Sequence, residues 1–599
     1  MKKIISLKIL GILVMVMLIT TALPVLGQIN QEKTINQALA DPNWEWAISG
    51  GGTSLDYGHN IATDKNGNCY VIGKYFFEAT FGTTTLINYG TIKNNDIFVA
   101  KINSNGEWQW AVGAGGTFND EGNGIAVDDE GNVYITGIIY DTAWFGNITL
   151  TCVGYQDVYV AKLDTDGNWL WAIRGGSHPG EGAYGISLDS FGNIYITGHF
   201  MYRTTFGETT LESKGSADVF VAKLDNEGNW LWASSGGGSL ADYPNDIVVD
   251  YLGNSYIVGD FDDDASFGSY NITHQDHIDV FIAKLDTDGN WQWAKSGVGD
   301  STDRGYNIAV DSNGDVRITG TFFVSITFGT TTLTSLGEWD VYVVKLDTNG
   351  DFLWVTQGGG TSSDSGRSIT VDYNKNSYIT GTFNGEATFG ASTITSLGFR
   401  DVYVAKLDDD GNWQWAMSAG GVEYDQGYGI AVDNNGYIYN TGYFDGISAF
   451  GTTTLTTEGE YDVFIAKVLH DDINSPPDAP TIDGPNSGKP GRDYEYTFNS
   501  IDENEDSIMY IIEWGDNNTE WTEYGNSGED FILTHSWNED GEYTIKAKAK
   551  DIHDAESNWA YFDVTIPRNR VLQNPFFIRL LEWFSNSFPF FLYIYGLLD

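Results

Sequence analysis

Residues 125–172 read IAVDDEGNVYITGIIYDTAWFGNITLTCVGYQDVYVAKLDTDGNWLWA and contain four short, strand-like segments. These are I-A-V-D, G-N-V-Y-I-T-G, D-V-Y-V-A-K-L and W-L-W-A, and turn-forming Asp, Gly and Asn separate them. The pattern recurs in steps of 64 and then five times 61 residues, with a shared tryptophan at Trp46, Trp110, Trp171, Trp232, Trp293, Trp354 and Trp415. Four short strands per unit at a fixed period are typical of propeller blades, each of which buries both faces only by stacking on its neighbours. The sequence therefore predicts an all-β fold built around a seven-bladed β-propeller.

The first and last copies are offset in a way that predicts closure of the ring. The chain opens with an aromatic strand at residues 44–47, whereas the last D-V-F-I-A-K strand, residues 462–467, has no aromatic strand after it. Pairing the two would satisfy strand edges that otherwise invite aggregation. We therefore expect the N-terminal strand to complete the seventh blade.

At these motifs the chain resembles the bacterial and archaeal family of seven-bladed β-propeller (SBBP-type) repeats, whose units carry G-N-x-Y-x-T-G, F-G and D-x-F-V-A-K-L. The resemblance covers residues 44–468. It implies the propeller fold and leaves the activity open, because propellers host many functions.

The N-terminal residues and the overall charge indicate an exported protein. Residues 1–27 read as a signal peptide, with Lys2, Lys3 and Lys8 before an apolar stretch, and residues 28–43 form a leader. Removing the three lysines takes the formal charge from −51 to −54, which argues against nucleic acid as a partner because phosphates would be repelled. We expect a secreted, extracellular protein associated with the cell surface.

The C-terminal part predicts a second domain and a terminal segment. A proline-containing linker occupies residues 469–480, and residues 481–567 alternate in the manner of a small β-sandwich. This stretch resembles the PKD-type immunoglobulin-like domain in its W-G-D motif at residues 514–516 and in its acidic loop, which holds Asp502, Asn504 and Asp506. The apolar tail, residues 568–599, contains an uncharged run, residues 583–598, that is shorter than the roughly 20 residues needed to span a bilayer. Its many aromatic residues favour membrane association or sorting over packing on the preceding domain.

The cysteines and the D-x-D-G-N turns bear mainly on structure. Cys69 and Cys152 lie in different blades, and their spacing leaves open whether they pair. The D-x-D-G-N turns, such as residues 164–168, lack the later bidentate glutamate of an EF-hand. A hairpin with a glycine at positive φ explains them better than a calcium loop.

A set of seven carboxylates precedes the first strand of each blade in the loop between blades. If these side chains surround one mouth, they would concentrate cations, and turn chemistry beside the glycine pairs is the alternative. Nearby tyrosines would offer flat apolar area for a sugar or a protein edge. The candidate binding residues are Asp56, Tyr57, Asp120, Glu181, Asp242, Tyr243, Asp303, Asp364, Tyr424 and Asp425.

Two further groups are candidate metal ligands. The fourth blade holds Asp262, Asp263, Asp264, His274, Asp276 and His277 where other blades have threonine and serine. Two imidazoles and several carboxylates could hold a divalent metal, and a polar surface loop is the alternative. The second group is the acidic loop with Asp502, Asn504 and Asp506, for which calcium would be the ion. No other cofactor is indicated.

Two functions from different classes follow from these features. The first is a non-catalytic, exported binding or adhesion protein, with the propeller as recognition head for an extracellular glycan or surface protein, the PKD-like domain as spacer and the tail as a means of membrane or cell-envelope association. The second is a propeller hydrolase or lyase that uses loop carboxylates on an extracellular polymer. We favour the first, because catalysis needs convergent asymmetry and the sequence offers it only in the fourth blade.

Overall fold

The computed structural model describes residues 42–90, 94–177, 180–275, 277–469, 475–502, 504, 506–552, 555–567, 579, 580 and 583. The predicted signal peptide and all but the last two residues of the leader lie outside the described residues, as do residues 470–474 of the linker and all but three residues of the tail. The described strands all belong to a compact unit that begins at Asn43. Within the described residues, no helix has the length and apolar character needed to cross a membrane.

The repeat region consists of antiparallel strands. In chain order they are β1 (Asn43–Gly50), β2 (Tyr57–Thr63), β3 (Cys69–Phe76), β4 (Glu78–Phe81), β5 (Thr84–Ile87), β6 (Asn95–Ile102), β7 (Trp108–Gly116), β8 (Glu121–Val127), β9 (Val133–Phe145), β10 (Ile148–Leu163), β11 (Trp169–Gly175), β12 (Gly182–Leu188), β13 (Ile194–Phe206), β14 (Thr209–Leu224), β15 (Trp230–Gly237), β16 (Asp242–Val249), β17 (Ser255–Phe261), β18 (Ala265–Phe267), β19 (Tyr270–Ile272), β20 (Asp279–Leu285), β21 (Trp291–Gly299), β22 (Arg304–Val310), β23 (Val316–Phe328), β24 (Thr331–Leu346), β25 (Phe352–Gly360), β26 (Ser365–Val371), β27 (Ser377–Phe383), β28 (Glu386–Phe389), β29 (Ser392–Thr395), β30 (Asp401–Leu407), β31 (Trp413–Gly421), β32 (Gln426–Val432), β33 (Ile438–Phe450) and β34 (Thr453–Leu469).

Tight turns join the first strand of each repeat to the second, as the glycine spacing predicts. In the second repeat, Oδ1 of Asp128 accepts the Asn132 N–H at 2.7 Å, and Oδ2 accepts the Tyr134 hydroxyl at 3.0 Å. Gly131 has φ of +84°, which glycine adopts without a Cβ clash. The D-x-D-G-N turns are built alike, with Gly167 at φ +83°, so the hairpin interpretation is confirmed.

The connection between the second and third strands of a repeat is a β-hairpin. In the second repeat, Phe145 and Ala143 of β9 pair with Ala114 and Gly116 of β7, so the hairpin extends the outer strand of the preceding repeat. The equivalent pairings are β15 with β18, β21 with β23, β25 with β28, and β31 with β33. The four strand-like segments of each repeat did not predict these hairpins.

The recurring tryptophan ties each outer strand to the next repeat. Nε1 of Trp110 donates to the Thr165 carbonyl at 3.0 Å, and Nε1 of Trp232 donates to the Thr287 carbonyl at 3.0 Å, each 55 residues further along the chain. The same indole packs against the turn glycine of that repeat, where a Cβ on Gly167 would lie 2.8 Å from the Trp110 ring. The period of the sequence therefore reflects contacts between consecutive repeats.

The first and last repeats also contact each other. Strand β1 pairs antiparallel with β34, from Asn43 opposite Leu469 to Gly50 opposite Val463, with an irregularity between Trp44 and Trp46. The first strands of the repeats contact one another in the closed order β2, β8, β12, β16, β22, β26, β32 and back to β2. The core around Cys69 of the first repeat includes Tyr439 of the last.

The thiols and the C-terminal strands complete the described fold. Cys69 and Cys152 are both free, so no disulfide joins them.

The C-terminal strands form a three-stranded and a four-stranded sheet around one core with Trp514 and Trp537. They are β35 (Thr481–Asp483), β36 (Tyr494–Asn499), β37 (Ile508–Glu513), β38 (Thr519–Trp521), β39 (Phe531–His535), β40 (Gly541–Asp551) and β41 (Ala560–Ile566).

Candidate functional site

The strand order gives the repeat region two different ends. The tight turns after the first and third strands of each repeat lie at one end, which we call the turn end. The hairpins and the loops between repeats lie at the other, the loop end. At the turn end, Ile552 of the C-terminal part lines a cleft together with Asp311, Tyr373 and Asp433. Because the turn end consists of tight turns, the loop end is the end that can vary between repeats.

The predicted ring of seven carboxylates at the loop end is buried. Each of these residues is at most 1% exposed, and each accepts at least one backbone N–H. Asp364, for example, accepts the Gly360 N–H of its own loop at 2.7 Å and, at 3.2 Å, the N–H of Asn384, which follows the second strand of the repeat. The structure thus corrects the expectation of an open, cation-attracting rim, because these oxygens hold the loop backbone instead of meeting solvent. The residues are Asp56, Asp120, Glu181, Asp242, Asp303, Asp364 and Asp425.

A second set of buried carboxyl groups lies against the first. These aspartates begin or directly precede the D-V-Y-V-A-K-L motif, and none is more than 2% exposed: Asp96, Asp157, Asp218, Asp279, Asp340, Asp401 and Asp462. A Cβ on Gly420 would lie 2.7 Å from Oδ1 of Asp401 and 2.9 Å from Oδ2 of Asp425, so a glycine separates the two groups. Burial and, to a smaller extent, the nearby Asp425 charge raise the pKa of Asp401 to about 7. The paired groups therefore favour protonation near neutral pH.

The centre of the loop end is lined by side chains of the first strands. The Arg367 guanidinium lies over the Tyr306 ring at 4.4 Å and near the Tyr428 ring at 5.6 Å, and Tyr428 lies 6.1 Å from His59. These four residues occupy the same position in the fifth, sixth, seventh and first repeats. They form an arc that we call the aromatic arc. Tyr57 extends it, because its ring packs edge-on against Tyr443 at 4.9 Å.

The three predicted tyrosines lie at the loop end but contact different partners. Tyr243 is 37% exposed and packs edge-on against His199 at 5.0 Å. Tyr424 is 39% exposed and stacks on Phe399 at 5.1 Å with an interplanar angle of 7°. Tyr57 belongs to the aromatic arc. Sequence reasoning placed all three at the correct end without identifying their neighbours.

A polar pocket between the fifth and sixth repeats was not predicted. It contains three of the chain's ten arginines, and the signal that could have found it is their grouping in two consecutive repeats where other repeats carry mostly uncharged residues. Its volume is about 210 Å³. The lining residues are Arg304, Tyr306, Thr321, Trp339, Ser363, Asp364, Ser365, Arg367, Thr382 and Arg400. We call it the arginine pocket.

The acidic and histidine-containing loop of the fourth repeat does not form a metal centre among its described residues. Asp263 accepts the Ser239 hydroxyl, Oδ1 of Asp264 accepts the His274 N–H at 2.9 Å, and Nε2 of His274 meets the His277 carbonyl. Neither histidine shares a group of three close ligands with Asp262, Asp263 or Asp264 in the described chain, and Asp276 lies outside it. Local hydrogen bonds thus favour the polar-loop alternative.

The acidic loop of the C-terminal part brings three carboxylates together. One oxygen each of Asp502, Asp506 and Asp551 lies within 4.8 Å of the others. Oδ2 of Asp502 is buried and accepts no hydrogen bond from the described residues. The Asn504 N–H donates to Asp502, and its side-chain oxygen accepts the Ser475 N–H. Sequence reasoning missed Asp551 as a ligand. Carboxylate oxygens are ligands that calcium prefers.

Comparison with known proteins identifies the repeat. The β-propeller repeat model (SBBP) matches residues 109–137 and 353–386. An uncharacterized WD repeat-containing protein of Acanthamoeba polyphaga mimivirus is 24% identical over 73% of this chain and 39% of its own length. Regulatory protein FlaEY of Caulobacter vibrioides is 24% identical over 62% of this chain and 41% of its own length, so the chain covers less than half of either relative. The PKD domain of an M14-like peptidase from Thermoplasmatales archaeon SCGC AB-540-F20 is 47% identical over 16% of this chain and 99% of that chain, with a TM-score of 0.16. The chain is an all-β protein that carries β-propeller repeats.

Proposed function

We propose that this protein is a non-catalytic, exported cell-surface binding protein whose recognition head is a seven-bladed β-propeller. The pairing of β1 with β34 and the closed order of contacts between the first strands support the ring. The two C-terminal sheets act as a PKD-type sandwich that spaces the head from the envelope, and residues 568–599 retain the protein there. Truncation after Pro567 should release it into the medium, which fractionation of cells would measure.

The observation that carries the proposal is the chemistry of the loop end. Exposed Tyr243 and Tyr424, together with the aromatic arc, present flat apolar area. The arginine pocket supplies directional donors beside that area. Aromatic faces next to a few polar groups are typical of recognition surfaces for sugars and proteins, because the rings bury area while the polar groups fix orientation.

One observation favours the hydrolase or lyase alternative. Asp364 lines the arginine pocket, and burial raises its pKa to about 7, which is the range of a general acid or base at neutral pH. Burial alone explains the raised pKa without catalysis, and the two backbone hydrogen bonds give the carboxyl a structural role. Because this alternative predicts cleavage, polymer degradation is assayed together with binding.

The proposal is tested with the full chain on a glycan array and on cell-envelope fractions. The loop-end variant is Tyr243→Ser with Tyr424→Ser, and the matched turn-end control is Phe191→Ser with Tyr251→Ser, whose side chains are 82% and 63% exposed. We expect binding to fall at least about tenfold only in the loop-end variant. Equal binding by both variants would refute the assignment of the face, and release of reducing or unsaturated sugars would favour the enzyme.

A further inference from the structure

The arginine pocket concentrates positive charge in an acidic protein. The chain has 82 Asp and Glu against 31 Lys and Arg, so an arginine near the surface usually has a carboxylate at hand. Arg304 follows this rule, because its guanidinium bonds to Asp260 at 3.2 Å. Arg367 and Arg400 form no ion pair with any described residue. Two guanidinium groups therefore face the pocket with their charge uncompensated by the described chain.

Arg367 is held in place by contacts that leave its donors available. Its guanidinium stacks between Tyr306 and Tyr428, and its Nε is buried without a hydrogen-bond partner in the described structure. Cation–π stacking fixes the plane of a guanidinium while its N–H groups point outward from the ring. A planar donor held in this way is suited to two parallel hydrogen bonds with a carboxylate.

The remaining lining suits a hydroxylated ring. Trp339 and Tyr306 provide aromatic faces, and Thr321, Ser363 and Ser365 provide hydroxyl oxygens. The Thr321 hydroxyl donates to the carbonyls of Asp340 and Asp364, and the Ser363 hydroxyl donates to Glu338, so these two oxygens can only accept. The Ser365 hydroxyl is buried without a hydrogen-bond partner among the described residues. The volume of about 210 Å³ is smaller than the roughly 300–1,000 Å³ of sites for drug-sized molecules, so the pocket accommodates a single sugar unit. Asp364 faces the same space, but its carboxyl is buried and binds Gly360 and Asn384.

We propose that the arginine pocket binds the carboxylate of a uronate unit in an acidic polysaccharide, with Arg367 and Arg400 on the carboxylate and Trp339 against the sugar ring. This inference rests on the proposed binding function and names its ligand class. An acidic protein segment would offer the same carboxylate, but it would leave the pocket hydroxyls without the vicinal hydroxyls of a sugar.

The test compares polygalacturonate with its methyl ester, which differs only in the carboxylate, and uses poly-glutamate as the protein-like probe. Isothermal titration of the full chain is run in about 0.1 M salt, where screening between exposed charges is substantial. The variant is Arg367→Gln with Arg400→Gln. The control is Arg174→Gln with Arg203→Gln, which changes the net charge equally outside the pocket. Thermal melting of each variant confirms that it is folded.

We expect polygalacturonate to bind, the methyl ester to bind at least about tenfold more weakly, and the pocket variant to lose a similar factor while the control does not. Equal loss in both variants would show long-range attraction instead of a site and would overturn the inference. Tighter binding of poly-glutamate would replace the sugar with a protein partner. If a neutral glycan binds and the pocket variant leaves that binding unchanged, the inference fails while the proposed function stands. If neither glycans nor envelope fractions bind, the proposed function itself fails.

Discussion

Replacing Asp401 by asparagine should stabilise the protein most at alkaline pH and less in mild acid. Oδ2 of Asp401 accepts the Leu397 N–H at 2.8 Å, while Oδ1 is buried and accepts no hydrogen bond from the described residues. Asp425 accepts the Gly421 N–H and the Ser448 hydroxyl, both at 2.6 Å. An asparagine at 401 would keep the first hydrogen bond and turn an N–H₂ group toward Asp425.

The magnitude follows from the separation of the two carboxyl groups. Their facing oxygens lie 2.7 and 2.9 Å from the Cβ position of Gly420, hence within about 5.5 Å of each other, and two unit charges at that distance repel by about 3 kcal/mol at an effective dielectric constant of about 20. Burial raises the pKa of Asp401 from 3.8 in the unfolded chain to about 7. Because the pKa is raised on folding, the protonated Asp401 keeps the folded protein at its full stability below about pH 4. That stability is lost progressively as the pH rises from about 4 through 7.

The assay is thermal or denaturant unfolding at pH 5 and pH 9, with Asp410→Asn as control. Asp410 is exposed in the following turn, so its substitution removes the same charge without touching the pair. We expect Asp401→Asn to raise the free energy of unfolding at both pH values, and by up to about 3 kcal/mol more at pH 9 than at pH 5. Destabilisation by a similar amount at both pH values would show that the buried carboxylate is needed in its charged form and would refute the reasoning.

Two further predictions concern closure and calcium. Deleting residues 44–47 should remove hydrogen-exchange protection from residues 438–468, because β34 would lose its pairing with β1, while protection of residues 194–224 in the third repeat should persist; unchanged protection in the last repeat would contradict closure. Calcium should raise the melting temperature of the C-terminal part in the full chain, and Asp551→Asn should reduce that shift where Asp530→Asn, at an aspartate outside the group, does not; a calcium shift equal in both variants would exclude the three-carboxylate site.

The strand framework could be predicted because its determinants are local and recur. Asp128, Gly131 and Asn132 specify a turn by their own side chains and φ values, and the offset of the first aromatic strand predicted its pairing with β34. The hairpins were missed because polar residues alternate there in a pattern that also suits exposed loops. Phe145 determines the outcome instead, since its buried ring packs on Trp169 at 5.1 Å.

The site was harder to predict because its contacts join residues far apart in the chain. The recurrence of Asp425 and its equivalents located a loop, but burial depends on Asp401 and on a glycine that lets the two groups approach. The arginine pocket depends on Arg304, Arg367 and Arg400, which meet only when two repeats stack. Asp551 lies 45 residues beyond Asp506, so the acidic motif alone could not identify it.

The loop end shows how a repeated unit can carry one site. At the position of Arg367, the second and fourth repeats have Asn123 and Asn245, whose amides donate to the carbonyls of Ala183 and Gly305 in the following repeat at 2.9 and 2.7 Å. Those side chains are used for contacts between repeats and leave little for a ligand. Tyr306, Arg367 and Tyr428 lie on the other side, where stacked rings hold a cation without consuming its donors. A ligand at this end would therefore lie off the centre, over the fifth to seventh repeats, and substitutions at Asn123 and Asn245 should affect stability more than binding.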